Sequence, residues 1–207
     1  LPLRSKRRRK VLIAKQSRAA KKVAIFPFRI SIKVYRIGKT HYFPKMRGGH
    51  PTPERPQFFY ILATWLCSLI AISTLYGVSH WTDSVMIMAP FGATCVLVFG
   101  APDSPLAQPR NVIGGHLIAT AISLLLLQTL GNSWWVVALG ISTTIGVMQY
   151  TKTLHPPAGA DPLVVLLTQA PWSFIFIPVL MGAVILVLCG VITNNFAKDR
   201  HYPKYWW

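Results

Sequence analysis

Acidic residues are almost missing from this chain. Against 22 Lys and Arg it has five Asp and Glu, a formal net charge of +17. The acids are Glu54, Asp83, Asp103, Asp161 and Asp199. Cysteine is equally scarce: Cys67, Cys95 and Cys189 all lie in apolar runs without a pairing pattern, so they read as small hydrophobes and not as a disulfide framework or metal site. No nucleophile triad, metal cluster or phosphate loop is recognisable, and one His beside one Asp is thin support for catalysis. An enzyme is therefore the weakest reading, with no cofactor and no metal expected. A cleavable signal is also lacking, because residues 1–25 hold no proper apolar stretch. The chain opens on Leu1, which is expected to be a processed or truncated start.

What the chain has is apolar surface. Hydrophobic residues make up 52% of it and its mean hydropathy is +0.42, above the range of ordinary soluble domains. The charge is segregated. Residues 1–57 hold 17 of the basic residues and one acid, whereas residues 58–207 hold five basic residues and four Asp. A basic N-terminal extension, 1–57, thus precedes a nearly uncharged membrane domain, 58–195, and a basic, aromatic tail, 196–207. Residues 4–22 carry ten Lys and Arg. Two readings compete there: a solvated, disordered tail, or a segment that binds anionic lipid, nucleic acid or an acidic partner subunit. Residues 29–37 alternate apolar and polar, which predicts an extended strand.

Four apolar runs, Phe58–Tyr76, Val112–Leu130, Trp134–Tyr150 and Phe174–Ile192, approach the roughly 20 residues that span hydrocarbon. Between them lie two Pro- and Gly-interrupted segments, 85–101 and 155–170. Pro90 to Val98 matches Pro157 to Val165 at an offset of 67 residues, as Pro-x-Gly-Ala, then Thr or Asp, then an aliphatic run. The expected fold is an all-α polytopic membrane protein of two three-segment repeats, 58–130 and 134–195, each with a broken helix. If the broken segments are re-entrant, four spans result; if they cross, six result, and the second repeat is inverted. The charges favour six, because Arg110 and Lys152 then share a side with both tails while the opposite connections carry no Lys or Arg. Trp81, Trp134, Trp135 and Trp172 cluster on that opposite side as an aromatic belt.

Pro suits the first helical position, so short helices are predicted to start near Pro90 and Pro157 and to end near Gly100 and Thr168. Two helix N-termini aimed at one place would offer free N–H groups and partial positive charge to an anion. Gly92 and Gly159 would let a small ion approach the backbone. The competing reading is that Pro and Gly only kink packed helices. The polar residues within the apolar body are Thr94, His116, Gln149, His155 and Asp161. His155 is a candidate proton relay or substrate contact, against a capping role. Asp161 fits the first turn after Pro157, protonated or paired with His155. The candidate substrate-binding set is Pro90, Gly92, Ala93, Thr94, His155, Pro156, Pro157, Gly159 and Asp161. Arg110 and Lys152 would attract anions at the entrance, and Asn111 and His116 would line the path.

Leu154-His-Pro-Pro-Ala-Gly-Ala-Asp-Pro162 resembles the signature of the HPP family of integral membrane proteins. Ala89-Pro-Phe-Gly-Ala-Thr94 and the stretch from Pro102 to His116 are similar to the family's other recurring segments. The resemblance covers about residues 58–195 and leaves out the basic extension. It implies a small multi-spanning protein, usually described with four spans, found in bacteria and plastids. Some plant members are linked to nitrite transport in the chloroplast envelope.

The expected function is a small-anion, nitrite-like transporter or channel, with the anion held at the helix starts near Pro90 and Pro157. The alternative is an accessory subunit of a large membrane complex, anchored through residues 1–57 and retaining the same fold. The expected setting is an organelle inner membrane, plastid or mitochondrial, or a bacterial inner membrane.

Overall fold

The computed structural model describes residues 51–196 and 200–207. The polybasic stretch 4–22 and the alternating stretch 29–37 lie outside the described residues. Within these, all regular structure is helical.

α1, Phe58–Thr82, is 25 residues long and runs six residues past the apolar stretch that predicts it. It stops at Asp83, whose left-handed backbone (φ 48°) turns its N–H back to Ser79 O. α2, Ala89–Gly100, has Pro90 in its first turn, where the missing N–H costs nothing. α3 spans Pro109–Leu130 and also starts on a proline, three residues ahead of the predicted Val112. α4 spans Trp134–Thr151. The second broken segment differs from expectation. Pro156 and Pro157 open a 3-10 turn, Pro156–Ala160, and the α-helix that follows, α5, is only Asp161–Thr168. Consecutive prolines remove the donors an α-helix would need, so the regular helix begins four residues late.

The last apolar run is interrupted too. A turn over Trp172–Ile175 leads to an irregular stretch, Phe176–Leu180, in which Ile177 is extended (φ −130°, ψ 117°) before Pro178. A residue preceding proline is pushed out of the helical region. α6 follows as Met181–Asn194. The segments Phe58–Thr82, Pro109–Leu130 and Trp172–Asn194 are long and apolar enough to cross a membrane.

The element ends fall into two sets, one joined by hydrogen bonds and the other lining a cavity. Arg200 donates to Phe99 O at the end of α2, to Asn194 Oδ1 at the end of α6, and to Thr64 Oγ1 near the start of α1. Its guanidinium also stacks 3.8 Å from the Tyr60 ring centroid. Tyr202 Oη donates to Ala107 O, and Lys204 N–H to Gln108 Oε1. Arg110 at the start of α3 donates to Thr151 O at the end of α4. The two basic residues expected to share a side with the C-terminal tail are therefore on helix ends of one set. The other set contains the end of α1 and the start of the α6 region, where Ser84, Val85, Ser173, Phe174, Phe176, Ile177 and Pro178 line a cavity of about 400 Å³.

The main core joins α1, α2 and α6. Cys67, Ala71 and Leu75 recur every four residues on α1 and meet Phe91, Cys95, Val98 and Phe99 of α2 and Ala183, Leu186 and Val187 of α6. All three cysteines are free thiols, Cys67 and Cys95 buried and Cys189 partly so. Gly182 and Gly190 bring α6 against α2: Phe91 occupies the space a side chain would take at 182, and Val98 and Tyr202 do so at 190.

Candidate functional site

Four side chains from four separate segments meet in one buried chain of hydrogen bonds. α2 supplies Thr94, one turn after Pro90, with Oγ1 3.1 Å from Pro90 O. α3 supplies His116, seven residues and so about 10 Å along the helix from Pro109. The connection after α4 supplies His155, held extended (φ −133°, ψ 101°) by the Pro156 that follows. α5 supplies Asp161, its first residue. All four side chains are fully buried.

The contacts are short and sequential. Thr94 Oγ1 lies 2.9 Å from His116 Nε2 and 3.0 Å from His155 Nε2. His116 Nδ1 lies 2.8 Å from Asp161 Oδ2. His155 Nδ1 lies 2.8 Å from Leu106 O. The two imidazoles meet edge to face at 5.0 Å between centroids, and Phe91 covers His116 in the same way at 5.3 Å. Phe91 is seated against Gly182, one turn beyond Pro178 of the cavity. Its ring therefore stands between the cavity end of the molecule and His116.

The support around these groups is specific. Asn111 Nδ2 donates to Leu154 O, and Arg110 Nη2 to Thr151 O, so the start of α3 clasps residues 151–154. Leu106 is fixed from its own side: Ser104 Oγ accepts from Leu106 N–H, and Gln108 Nε2 donates to Pro102 O and Ser104 O. Gly115 gives His155 its room. A Cβ there would lie 2.8 Å from His155 Cβ and 3.1 Å from Thr153 O. Gly115→Ala is expected to push His155 off Thr94 and to destabilise the protein by about 1–3 kcal/mol. Thermal unfolding of the purified protein checks this, with Gly146→Ala, where a Cβ meets nothing within 4 Å, as the neutral comparison.

Of the residues singled out from sequence, Thr94, His116, His155 and Asp161 come together. Asp161 pairs with His116 and not with His155, because α5 begins at Asp161 and turns its carboxylate onto α3. Pro90 and Pro157 are buried beside the cluster, whereas Gly92, Ala93 and Pro156 are exposed and Gly159 is half-buried. Lys152 is exposed, with left-handed backbone (φ 58°), and Gln149 points outward. Arg110 is half-buried on a backbone carbonyl. The helix starts are poorer in free donors than expected: Phe91 N–H already bonds Met88 O and Ala158 N–H bonds His155 O. At the second start, Asp161 itself fills the first turn, the position a helix end favours for a carboxyl group.

Leu106 O and Phe91 are parts of the site that the sequence reading did not single out. Thr120, one turn beyond His116, faces Asp161, yet its Oγ1 and Asp161 Oδ1 are both buried without a hydrogen bond. The Thr94–His116–Asp161 order has the spacing of a nucleophile, a base and its orienting acid. Thr94 Oγ1 is nevertheless enclosed by Pro90 O and both imidazoles, which leaves no approach for a substrate carbonyl. Among the described residues, no three His, Cys, Asp or Glu side chains converge as metal ligands.

The profile described as "HPP, transmembrane region" matches residues 53–203. A transmembrane protein of Dictyostelium discoideum is 38% identical over 190 residues, covering 86% of this chain and 60% of its own length. A second transmembrane protein of the same organism is 38% identical over 191 residues, covering 85% of this chain and 66% of its own length. The chain thus spans less than two thirds of either relative. No solved structure matches it.

Proposed function

The chain belongs to the HPP family of transmembrane proteins, and from that premise we propose that it is a carrier or channel for a small monovalent anion such as nitrite. The observation that carries the reading is the buried Thr94–His116–His155–Asp161 cluster inside an otherwise apolar helical body. Ionisable groups at such depth are costly and mark substrate or ion pathways. The described segments alternate between two sets of ends, which supports six traverses and an inverted pair of three-segment halves. The end carrying Arg110, Lys152, Arg200 and Lys204 would lie on the positive-retaining side of an organelle or bacterial inner membrane. The family's link to nitrite comes from plant members and is extended to this chain as part of the proposal.

Gly92 and Gly159 test it. A Cβ at either would meet nothing within 4 Å, so a side chain can leave the backbone there without a clash. Gly92→Leu and Gly159→Leu are expected to abolish nitrite flux into proteoliposomes while leaving the melting temperature unchanged. Flux at the wild-type rate in both variants, or no flux above protein-free vesicles in the parent, overturns the reading.

The accessory-subunit reading is favoured by the net charge of +16 on residues 1–57. It is also favoured by α1, of whose most apolar stretch only 17% is buried. Purification in mild detergent separates the two: a stoichiometric, salt-sensitive large assembly supports the subunit, and a small free-standing oligomer supports the carrier.

A further inference from the structure

Hydrogen counting fixes where the protons sit in the buried chain. Leu106 O can only accept, so His155 Nδ1 carries a proton and donates to it. A second proton would make His155 a fully buried cation with no carboxylate against it, so Nε2 is bare and accepts. Its donor is the Thr94 hydroxyl at 3.0 Å. Pro90 O, 3.1 Å from the same oxygen, competes for that proton, but turning it there would set the bare Nε2 of a buried ring against a hydroxyl lone pair, so the hydroxyl faces His155. That occupies the only proton Thr94 has. Thr94 Oγ1 must then accept across the 2.9 Å contact with His116, which places a proton on His116 Nε2. One more proton lies between His116 Nδ1 and Asp161 Oδ2, and with it the pair is neutral as a unit.

Other charges do not disturb this count. The titratable groups turned into the cluster are His116 from α3, His155 from the connection and Asp161 from α5. α2 brings Thr94 and Phe91, and α4 brings Met148 against Gly115. The nearest cation on α3, Arg110, is turned to Thr151 O.

We infer that the Thr94 hydroxyl is a two-way proton relay between the His116–Asp161 pair and His155, and that the permeating anion crosses together with one proton. The inference rests on the transport reading above and names its coupling ion. The step balances within the cluster. The His116 Nε2 proton moves to Thr94 Oγ1 as the Thr94 hydroxyl proton moves to His155 Nε2. His155 becomes a cation and the His116–Asp161 pair an anion, with no proton gained or lost. The cluster is closed as it stands, so the anion reaches it only when one half rocks away from the other; it then takes the Nε2 proton of His155 and continues as its neutral acid. A proton from water on the side where the anion entered then restores the His116–Asp161 pair, so each anion carries one proton across. The neutral acid escapes the cost of an ion in hydrocarbon. The substrate class is therefore the small anion of a weak acid, nitrite or a short carboxylate such as formate. Chloride, which does not hold a proton, is excluded.

The test uses the full chain in proteoliposomes containing a pH-sensitive dye, with potassium and valinomycin clamping the potential and protein-free vesicles as the baseline. Nitrite and formate are each expected to enter with one proton, at a rate independent of the clamped potential, and chloride is not carried. Thr94→Val keeps the side-chain volume without the hydroxyl and is expected to lower the coupled rate by about 10²-fold. His155→Gln retains a donor towards Leu106 O and an acceptor towards Thr94 but does not take up a proton; the same loss is expected, so the test survives should the valine variant fail to fold. Anion entry that follows the potential without acidification overturns the coupling and leaves transport standing. Wild-type coupled rates in a folded variant also overturn it. Absence of any anion entry overturns the transport reading, and the coupling with it.

Discussion

Asp161→Ala is expected to destabilise the folded protein by about 3–5 kcal/mol, because it strips a buried group of its ionic partner. His116 Nδ1 has one partner, Asp161 Oδ2 at 2.8 Å, and both side chains are fully buried. With the carboxylate gone, the imidazole must either remain charged without a counterion or give up its proton and leave a ring nitrogen unbonded. The second outcome also disturbs Thr94, which takes its hydrogen bond from the other side of that ring. The pair as a whole is a different matter. Replacing both members with apolar groups removes the desolvation cost as well as the attraction. The double variant Asp161→Leu with His116→Phe is thus expected to be more stable than Asp161→Ala alone. Thermal unfolding of Asp161→Leu, His116→Phe and the double variant that combines them, read as a cycle, measures the coupling. A loss below about 1 kcal/mol in Asp161→Ala would mean that the two groups do not face one another.

Gly182→Val is expected to rank next, at about 3 kcal/mol, the upper end of the usual cost of overpacking. A side chain at 182 would enter the Phe91 ring, and that ring has no retreat: it is buried, and it already lies edge-on to His116. α6 would have to move away from α2, opening the core that Ala183, Leu186 and Val187 form with Val98 and Phe99. Two comparisons isolate the cause. Gly92→Val, one residue from Phe91 but with open space beside it, is expected to change the melting temperature little. Phe91→Ala in the Gly182→Val background is expected to recover part of the loss, since the added methyl groups then occupy the vacated ring volume. No recovery would show that some other contact of Gly182 sets the spacing of the two helices.

The legible and the illegible parts of this molecule separate on physical grounds. Pro90 and Pro109 announce helix starts because proline lacks a donor that a first turn does not use. Pro178 carries an equivalent signal, but the residues around it are continuously apolar and give no polar mark of a break. Pro156 and Pro157 marked an irregular segment, but their pairing delayed the α-helix to Asp161. That delay decides which histidine the carboxylate meets.

The partners in the buried chain lie 22, 45 and 61 residues apart, so no local pattern reveals them. What the sequence did contain was their chemistry: few polar groups in a long apolar body, each costly unless bonded to another. Leu106 was invisible for a simpler reason. It acts through its carbonyl, which every residue possesses. The Gly114-Gly115 doublet was a usable sign, for it allows residues 153–155 to lie against α3.

The position of two protons on two rings is the most direct measurement of the central claim. Nitrogen NMR of the protein labelled at histidine, assigned with His116→Gln and His155→Gln, reads the protonation of each ring nitrogen. His116 is expected to carry a proton on Nε2 while His155 carries one on Nδ1 and none on Nε2. If both Nε2 atoms are bare, or both protonated, the Thr94 hydroxyl does not link the rings in the assigned direction and the relay has no basis.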